Sequence, residues 1–538
     1  MPDRRVRDFQ NGFAGGANPM AGSGIAPLDQ YASVTNMRLI RNQELAKRPG
    51  LRSLGTTVAN HVLYPWWGVT GVAAATPAIL DLGSDSGSIT PKGRTMGYGT
   101  PTRTPVLATT STLTATTGTP DVSIYAASFR DGSSDCMYIG CRTYGMLKWN
   151  GTTITENVGT TLTAGMGQLW VYNQRLFGCK GGWRASAVSG ERTPTLYWSG
   201  LNNGDSLNDV SAGGGSANIR AYGRQMNIAG GFALGGSNYI LQEGAISVFR
   251  GTTFDDINIT AGAVGVSPNI GLPFVWEVID DTAYIVTSEG LYLLTEAGGV
   301  TPAGTPEYPD PLAQAMLEFS DLYSRTNNQV APWFILDNAR RREVWIVASF
   351  YQPVANTFTS KLFIYNTQLG RFTGTGQFGF HVEFATTVPL EFQPSVSDML
   401  FVNGSNVYGT DFFFQAQNVF TDNGSNYESA VQFRRMYTVD DPASIKSWRQ
   451  ATVQMGSGAG ITPLTAGAAT GAVAKYVTNI GGTVTASASL VAQTAGLVQL
   501  SGQGPFVDLT VTDNGTISVG WSILRAEAEG YAYTRRNG

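Results

Sequence analysis

The feature that most constrains the fold of this chain is a recurring pattern of short alternating segments ended by glycine-containing turns. One such unit alternates apolar and polar residues from Asp121 to Phe129, turns at Asp131-Gly132, and continues to Trp149 before the turn Asn150-Gly151. Alternation with period two predicts strands with one buried face. Asn-Gly or Asp-Gly between such strands predicts antiparallel hairpins.

About six units of three or four predicted strands follow one another between residues 121 and 425. A repeat of roughly 40 to 60 residues is typical of a β-propeller, in which each sheet packs only against its neighbours. Closing the ring removes the exposed sheet edges. The spacing is irregular, so five or seven blades are also compatible, and a large sandwich or two stacked barrels is the alternative architecture.

Composition favours an all-β fold. Charged residues make up 14% of the 538 residues and glycine accounts for 66, whereas soluble domains average about a quarter charged residues. Long surface helices need a charged outer face, which this chain cannot supply. One helix is predicted, over residues 311–322, with Asp310 as N-cap and Pro311 in the first turn.

Four regions differ in composition. Residues 1–55 are punctuated by Gly and Pro and predict an extended N-terminal arm, and residues 56–120 are rich in Thr, Ala and Gly and predict a β-rich platform or insertion. Residues 121–425 hold the propeller units. Residues 426–538 alternate without aromatic-rich units and suit a C-terminal β-sandwich. The predicted fold is therefore an all-β, propeller-like middle region between an arm and a sandwich.

Residues that could carry chemistry are few. Three cysteines and two histidines lack the spacing of zinc ligands. Adjacent aspartates at 255–256, 280–281 and 440–441 lie beside turns, and neighbours in a strand point to opposite faces, so turn contacts are favoured over a glycosidase acid–base pair. The run Asn202–Asp205 suits a turn better than a cation site. We therefore predict no catalytic, cofactor or metal site, and we expect that the chain is not an enzyme.

The remaining unusual residues are tryptophans and arginines. Five tryptophans are predicted to pack between blades rather than to stack on sugars, namely Trp149, Trp198, Trp276, Trp333 and Trp345. The run Arg340-Arg341-Arg342 lies in a predicted hairpin turn. Exposure to solvent is the favoured interpretation, and a contact with a neighbouring subunit or with passing DNA is the alternative.

Charge and hydropathy limit the possible partners. The formal net charge of -4 argues against a broad surface that grips nucleic acid through phosphate neutralisation. The N-terminus is charged with no apolar segment behind it, which argues against a signal peptide. The longest apolar stretch, from Gly68 to Leu82, is interrupted by Thr, Pro and Asp, so no membrane-spanning segment is predicted.

Several segments, taken in order, resemble structural proteins of bacteriophage tails. The stretch from Ala32 to Arg38, followed by Leu45-Ala-Lys-Arg-Pro-Gly50, is similar to the start of many such proteins. The segments 173–177 and 195–200, and then 280–294, resemble their blade pattern. Residues 441–446 and 504–509 are similar to their closing sandwich. The family is the tail nozzle, or tail tubular, group of short-tailed double-stranded-DNA phages, and the resemblance spans nearly the whole chain.

This resemblance implies a structural virion protein, assembled in the cytoplasm of a bacterial host and located in the virion tail. Such a subunit forms a ring, expected to be a hexamer, around the DNA exit channel below the adaptor and portal proteins. It would touch double-stranded DNA only transiently and would offer attachment surface for tail fibres or spikes. The arm is then expected to reach a neighbouring subunit, with Asn36, Arg38, Lys47, Arg48 and Pro49 as candidate contacts, and Arg340 to Arg342 as candidate lumen or interface residues.

Two other functions are compatible with the sequence. One is a receptor-binding or glycan-degrading β-propeller protein of the tail, which would need a cleft with two carboxylates and an aromatic platform. The other is a propeller scaffold unrelated to phages, which would not form rings.

Overall fold

A computed structural model of the chain places most of the backbone. It describes residues 4–11, 13–17, 30–40, 44–61, 63–66, 78–85, 88–99, 104–112, 122–132, 134–141, 145–150, 154–155, 158, 166–180, 193–221, 224–250, 258–261, 273–297, 299–318, 323–324, 329–330, 333–352, 355, 357–390, 393–404, 409–416, 420–422, 425–437, 445–458, 464–478, 485–515 and 518–532.

Within the described residues, seven antiparallel units of four strands form the larger part of the molecule, and we number them blades 1 to 7; the seventh belongs to a six-stranded sheet. Blade 1 comprises Leu63–Trp66, Ala78–Asp85, Ser88–Gly99 and Thr104–Thr112; blade 2 comprises Val122–Asp131, Ser134–Cys141, Gly145–Trp149 and Ile154–Thr155; blade 3 comprises Gln168–Tyr172, Arg175–Cys179, Thr195–Trp198 and Gly215–Asn218. Blade 4 comprises Ile228–Leu234, Ser237–Gln242, Ala245–Arg250 and Asn258–Ala261; blade 5 comprises Pro273–Ile279, Thr282–Thr287, Gly290–Thr295 and Val300–Pro302; blade 6 comprises Trp333–Asn338, Glu343–Gln352, Thr357–Asn366 and Arg371–Gln377. Blade 7 comprises Val382–Leu390, Gln393–Gly404, Gly409–Ala416 and Gly50–His61.

The blades are arranged around their first strands. From blade 2 to blade 7 each first strand packs against the first strand of the next blade, and that of blade 7 packs against that of blade 1. Separate apolar clusters fill the spaces between blades 2 and 3, 3 and 4, 4 and 5, and 5 and 6. This arrangement confirms the predicted all-β, propeller-like fold.

The five tryptophans are buried, and three of them belong to this packing. All are at most 5% exposed, and Trp198, Trp276 and Trp333 lie in the clusters between blades. The prediction that they pack rather than present a sugar-stacking platform is confirmed.

The blade count and one boundary differ from the sequence prediction. The four described strands between residues 63 and 112 form a blade rather than a platform or insertion, so the described part of the chain contains seven units rather than about six. The strand Gly50–His61 crosses the predicted boundary at residue 55 and pairs with Gly409–Ala416, which completes blade 7. The fourth strand of blade 7 comes from a distant segment and leaves no local repeat in the sequence. Blade 1 was not recognised because its Thr-, Ala- and Gly-rich sequence resembles a platform or insertion.

The second part of the molecule is a sandwich of two six-stranded sheets built from both ends of the chain. One sheet comprises Arg4–Asn11, Met37–Ile40, Glu44–Lys47, Lys446–Met455, Ala495–Gly504 and Ser522–Ala532; the other comprises Gly16–Ala17, Gln30–Thr35, Ala430–Phe433, Ala469–Val477, Thr485–Val491 and Asp508–Thr512. A single core of buried residues from both sheets joins them. The predicted C-terminal sandwich is present, and it also contains strands from the first 50 residues.

The prediction of an extended arm is therefore corrected. Arg4 to Asn11 pair with Ala532 to Arg525 in register, and Phe13 and Tyr31 are completely buried in the sandwich core. The alternation between Ser33 and Ile40 is that of two paired strands. Gln30–Thr35 pairs with Ala430–Phe433 in the C-terminal part of the chain, and Met37–Ile40 pairs with the nearby strand Glu44–Lys47.

Short elements complete the structure. The α-helix Pro311–Glu318 lies between blades 5 and 6, and the Asp310 carboxylate accepts a hydrogen bond of 2.8 Å from the Leu312 backbone N–H, as predicted for its N-cap. Three short 3-10 turns are present, at Gly204–Ser206, Val210–Ala212 and Ala339–Arg341. Three pairs of two-residue strands are also present: Arg220–Ala221 with Arg224–Gln225, Tyr323–Ser324 with Gln329–Val330, and Thr421–Asp422 with Ser425–Asn426.

Within the described ranges no helix has the length and apolar character needed to cross a bilayer.

Candidate functional site

The segment with the Lys-Arg-Pro-Gly motif connects the sandwich to blade 7. Strand Glu44–Lys47 belongs to the sandwich and strand Gly50–His61 belongs to blade 7, so Arg48 and Pro49 form the connection. At Gly50 an added Cβ would lie 2.1 Å from the Thr421 carbonyl oxygen. Glycine is required here because the two backbones approach too closely for any side chain. We call the polar cluster around this connection the junction.

Arg48 is at the centre of the junction. Its guanidinium binds both carboxylate oxygens of Asp422, at 3.1 and 2.5 Å, with both side chains nearly inaccessible to water. It also lies over the Tyr427 ring, 4.1 Å from the centroid, and donates from Nε to the Asn36 amide oxygen at 2.9 Å. A planar guanidinium makes two parallel bonds and an aromatic contact simultaneously, which Lys could not do.

Lys47 forms a second buried pair on the sandwich side. Its Nζ lies 2.7 Å from Asp513 Oδ2, and neither side chain is accessible to water. Asp513 also accepts hydrogen bonds from the Trp521 indole at 3.1 Å and from the Ser429 backbone N–H at 2.8 Å. Burial lowers the pKa of Lys47, and Asp513 opposes that shift. The ammonium is retained in the core because the carboxylate and its other donors compensate for lost hydration.

Arg38 and Asn36 connect the sandwich to blade 6. Arg38 lies 3.4 Å from Glu343, which also accepts hydrogen bonds from the Trp345 indole at 2.9 Å and the Asn338 amide at 3.2 Å. Burial raises the pKa of Glu343 even though Arg38 acts in the opposite direction. Asn36 has a left-handed φ of 54°, and its amide oxygen also accepts from the Gln377 backbone N–H at 2.9 Å.

The five predicted subunit-contact residues therefore come together, but inside a single chain. Asn36, Arg38, Lys47, Arg48 and Pro49 are all buried, and the acids that pair with the three charged side chains lie 305 to 466 residues away along the chain. The prediction that they form a subunit-contact surface is corrected. Their partners are aspartates and a glutamate in remote segments, and no sequence pattern identified those acids as partners.

The arginine run lies in a hairpin turn, as predicted. Ala339–Arg341 forms a 3-10 turn between the first two strands of blade 6, and Arg342 follows with a left-handed φ of 54°. Arg342 is exposed and its carbonyl accepts a 2.8 Å bond from the Thr367 N–H, whereas Arg341 is half-buried. The Arg340 side chain lies outside the described residues. A lumen or interface role for this run stays a prediction.

Where the structure describes them, the sequence candidates for carboxylate and cation chemistry make structural contacts. Asp280 adopts a left-handed φ of 52° at a hairpin turn, and the aspartate pairs at 255–256 and 440–441 lie outside the described residues. Asp205 accepts from the Tyr138 hydroxyl at 2.7 Å and binds the Lys148 ammonium at 2.9 Å. Lys148 thus occupies the position that a cation would take beside the Asn202–Asp205 turn. In the described part of the chain no cluster of three or more His, Cys, Asp or Glu could hold a metal ion.

One acidic pair was missed by sequence reasoning. Glu277 and Asp337 lie on the first strands of blades 5 and 6, which pack together. The Glu277 side chain is accessible to water. Partial loss of hydration and repulsion from the neighbouring Asp337 nevertheless raise its pKa to about 7. Burial and Asp280 raise the pKa of Asp337 as well. Sixty residues separate the two acids in sequence, and only the closure of adjacent blades brings them together.

A serine–histidine contact is also present, and it is structural. His381 Nδ1 lies 3.2 Å from Ser360 Oγ. That hydroxyl is fully buried, accepts a 2.8 Å bond from the Val382 N–H, and is 2.8 Å from Ser349 Oγ. A nucleophile must be reachable by substrate, which excludes Ser360 from that role in this conformation.

Comparisons with known proteins give structural likenesses only. No protein-family model matches the chain, and no curated protein matches it. The WD40 β-propeller domain of Doa1 is similar at 9% identity, covering 68% of this chain and 98% of that chain with a TM-score of 0.37. BBS1N in complex with ARL6DN is similar at 8% identity, covering 68% and 98% with a TM-score of 0.36.

An exo-β-1,3-galactanase from Phanerochaete chrysosporium is similar at 8% identity, covering 67% of this chain and 94% of that chain with a TM-score of 0.24. The sheet pairing described above defines the class of protein as a β-propeller with a fused β-sandwich.

Proposed function

We propose that this protein is a structural subunit of the tail nozzle of a short-tailed double-stranded-DNA phage. The subunit would assemble as a ring, six-fold in our proposal, around the DNA exit channel below the adaptor and portal proteins. It would be a virion component assembled in the host cytoplasm, with surfaces for fibres or spikes.

The observation that carries this proposal is the role of the residues on which the resemblance rests. Asn36, Arg38 and the Lys47-Arg48 pair form the buried junction between propeller and sandwich. A motif of a tail protein would be expected to build this junction. A subunit whose propeller and sandwich cannot rotate about the junction can stack into a conduit as one rigid body.

Charge and chemistry support the same proposal. A near-neutral, slightly acidic chain with a net charge of -4 would let DNA pass, since strong phosphate binding needs a basic surface. A virion part must also be stable without cofactors, and a propeller with its last blade completed by an N-terminal strand suits that requirement.

The burial of the N-terminal strands changes how the ring would form. Strand Arg4–Asn11 is paired within its own chain, so a ring must use other surfaces. One such surface is the connection between the third and fourth strands of blade 3, where Leu201 is 54% and Val210 is 69% exposed. Exposed large apolar side chains held on an ordered loop are typical of protein contacts.

Electron microscopy of the purified full-length chain tests the proposal, alone and mixed with a portal–adaptor complex. We expect rings with a central hole wide enough for duplex DNA, formed either alone or on the portal–adaptor complex. A Leu201→Asp and Val210→Asp double variant should weaken ring formation, and Leu497→Asp on the sandwich provides a matched control at a residue that is 50% exposed. Monomers in both conditions would contradict the proposal.

A further inference from the structure

An ordered loop on blade 3 carries two exposed apolar side chains. Residues 199–214 connect the third and fourth strands of blade 3, and we call them the blade 3 loop. Leu201 and Val210 lie on this loop, and both are exposed. An added Cβ at Gly200 would lie 2.2 Å from the Ala212 carbonyl oxygen, so the backbone segments that carry the two apolar side chains touch each other.

Hydrogen bonds hold the blade 3 loop in place. The Arg175 guanidinium donates to the carbonyls of Ser199 and Gly213, at 2.7 and 2.8 Å, and so joins the two ends of the loop. The Tyr138 hydroxyl of blade 2 donates to the Asp205 carboxylate at 2.7 Å. A surface that is already ordered loses little conformational entropy when it binds a partner. The loop is therefore suited to docking as a preformed unit.

A cleft of about 250 Å³ lies on the outer side of blade 6, and we call it the blade 6 cleft. Its walls come from the helix Pro311–Glu318, the last two strands of blade 6 and the end of the sandwich strand Gln30–Thr35. Pockets for small-molecule ligands occupy roughly 300 to 1,000 Å³. The blade 6 cleft is smaller than this, so it suits a few side chains of a protein partner better than a separate ligand.

One side of the helix supplies a partly apolar wall. Pro311, Gln314 and Ala315 line the cleft, and Phe363 adds an aromatic ring from the sheet. Leu317 follows Gln314 by three residues, which places it on the same side of the helix. The Leu317 side chain is 86% exposed. An exposed leucine beside a partly apolar cleft is typical of a protein contact surface.

The charges of the loop are compatible with the cleft. The blade 3 loop contains Asp205 and Asp209 and no Lys or Arg. None of the described residues that line the cleft is acidic. Lys361 also lines the cleft, but it already makes contacts within its own chain, and the docking proposed here does not use its charge. An acidic loop therefore meets no like charge among the lining side chains.

The blade 3 loop cannot enter the cleft of its own chain, because blades 4 and 5 lie between blades 3 and 6. Two different surfaces on separated sides of a subunit allow head-to-tail contacts, which close into a ring when the rotation permits. We propose that the blade 3 loop of one copy docks into the blade 6 cleft of the next copy. Its two exposed apolar side chains would pack against Leu317 and the helix wall. This proposal rests on the proposed ring and names the surfaces that would form it.

Thiol cross-linking of the assembled full-length protein tests the proposal. The chain with both Val210→Cys and Leu317→Cys is treated with a short bismaleimide under the conditions that give rings. We expect a ladder of covalent oligomers that reaches the ring order, because every contact then has one thiol on each side. The two single variants and the natural chain are the controls, and they should stay monomeric on a denaturing gel.

The outcomes of cross-linking separate this proposal from the proposed function. Rings in electron microscopy without the ladder would overturn the docking of loop into cleft and leave the nozzle proposal standing. Covalent dimers from Val210→Cys alone would also overturn it, because they would mean that the loop packs on the same loop of another copy. Monomers under every condition would overturn both proposals.

Charge placed on the helix wall gives a second test. Gln314→Glu with Leu317→Glu changes two exposed positions to a good helix former, so the variant should fold. The protein concentration for half-maximal assembly should rise about tenfold or more, since a packed contact at an interface commonly contributes that much to affinity. Leu497→Glu, at a sandwich leucine that is 50% exposed, is the matched control and should assemble like the natural chain.

Mixing two defective variants tests whether the contact joins different surfaces. The helix variant and the Leu201→Asp, Val210→Asp loop variant should each stay monomeric alone, whereas their mixture should form dimers through one intact contact. Mass photometry measures this. Absence of dimers in the mixture, or unchanged assembly of the folded helix variant, would overturn the proposal.

Discussion

The propeller and the sandwich obtain their stability by different routes. Blades 2 to 6 are built from strands that follow one another closely in sequence, as in the hairpin where Gln242 pairs with Ala245, and apolar clusters fill the spaces between them. The sandwich instead pairs Arg4 with Ala532, across almost the whole chain, and meets the propeller at buried ion pairs. Pairing strands that are close in sequence has a small entropic cost of loop closure. Pairing the two chain ends has a larger cost, so we expect it to follow folding of the residues between them.

Disrupting the junction should therefore affect the two parts unequally, and Arg48→Met is expected to have the largest effect. It leaves the Asp422 carboxylate buried without its guanidinium, at a cost of about 3–5 kcal/mol in the free energy of unfolding. Urea unfolding followed by fluorescence measures this loss. In hydrogen exchange, amides of the sandwich and blade 7 should exchange faster while those of blades 3 to 5 stay protected.

The double variant Arg48→Met with Asp422→Asn serves as its control. Removing both charges should recover part of the loss, because the penalty arises mainly from the unpaired carboxylate. Uniformly faster exchange in all blades would show that the two parts do not differ in the way described.

Gly50→Ala should have the next largest effect, and it acts on the backbone rather than on charge. Its Cβ would lie 2.1 Å from the Thr421 carbonyl oxygen, so strand Gly50–His61 would have to shift away from its partners. Overpacking of this kind costs about 1–3 kcal/mol. The unfolding midpoint in urea should fall accordingly. Gly132→Ala is the control, because no atom lies within 4 Å of a Cβ there, although its φ of 59° retains a small strain. An equal or smaller loss for Gly50→Ala than for Gly132→Ala would contradict the close-approach argument.

The acidic pair between blades 5 and 6 gives a pH-dependent test within the propeller. The folded-state pKa of Glu277 is raised to about 7, so the folded chain binds this proton more tightly than the unfolded chain does. Stability from this group is therefore present at low pH and is lost as pH rises between about 4.5 and 7. Glu277→Gln should raise the free energy of unfolding at pH 8 by about 1 kcal/mol, a value reduced for solvent screening, and should change it little at pH 4.

Urea unfolding at the two pH values measures this difference. Gln and protonated Glu are similar in size and polarity, so the natural chain and the variant should have similar free energies of unfolding at pH 4. A stabilisation that is the same at pH 4 and pH 8 would exclude titration of Glu277 as the cause.

The surface pair of the sandwich should show the smallest effect. Arg5 binds Glu529 on the outside of the sheet, where the Arg5 side chain is 53% exposed. Arg5→Met is expected to lower the free energy of unfolding less than any of the variants above, and the loss should shrink further in 1 M salt because exposed charges are screened. Urea unfolding at low and high salt measures it. A loss as large as that for Arg48→Met would mean that burial does not distinguish the two pairs.

Sequence reasoning was most successful where the information is local. Asp310 was correctly predicted as the N-cap of the helix, and Arg340 to Arg342 were correctly placed in a hairpin turn. The five tryptophans are buried as predicted, and Trp198, Trp276 and Trp333 lie between blades. It was wrong about the first 55 residues, because a strand and an extended arm share the same alternation. It also missed the partnership of Glu277 with Asp337, since no motif relates residues on neighbouring blades.

By itself the sequence determined the all-β class, the repeated hairpins and the sandwich, because period-two alternation and glycine turns act between residues close along the chain. Only the tertiary structure decided which distant strands complete blade 7 and the sandwich. It alone also decided that Arg38, Lys47 and Arg48 bind acids within the same chain rather than a neighbour. The physical reason is that a charge must be paired once it is buried, and which charges become buried depends on how the chain closes on itself.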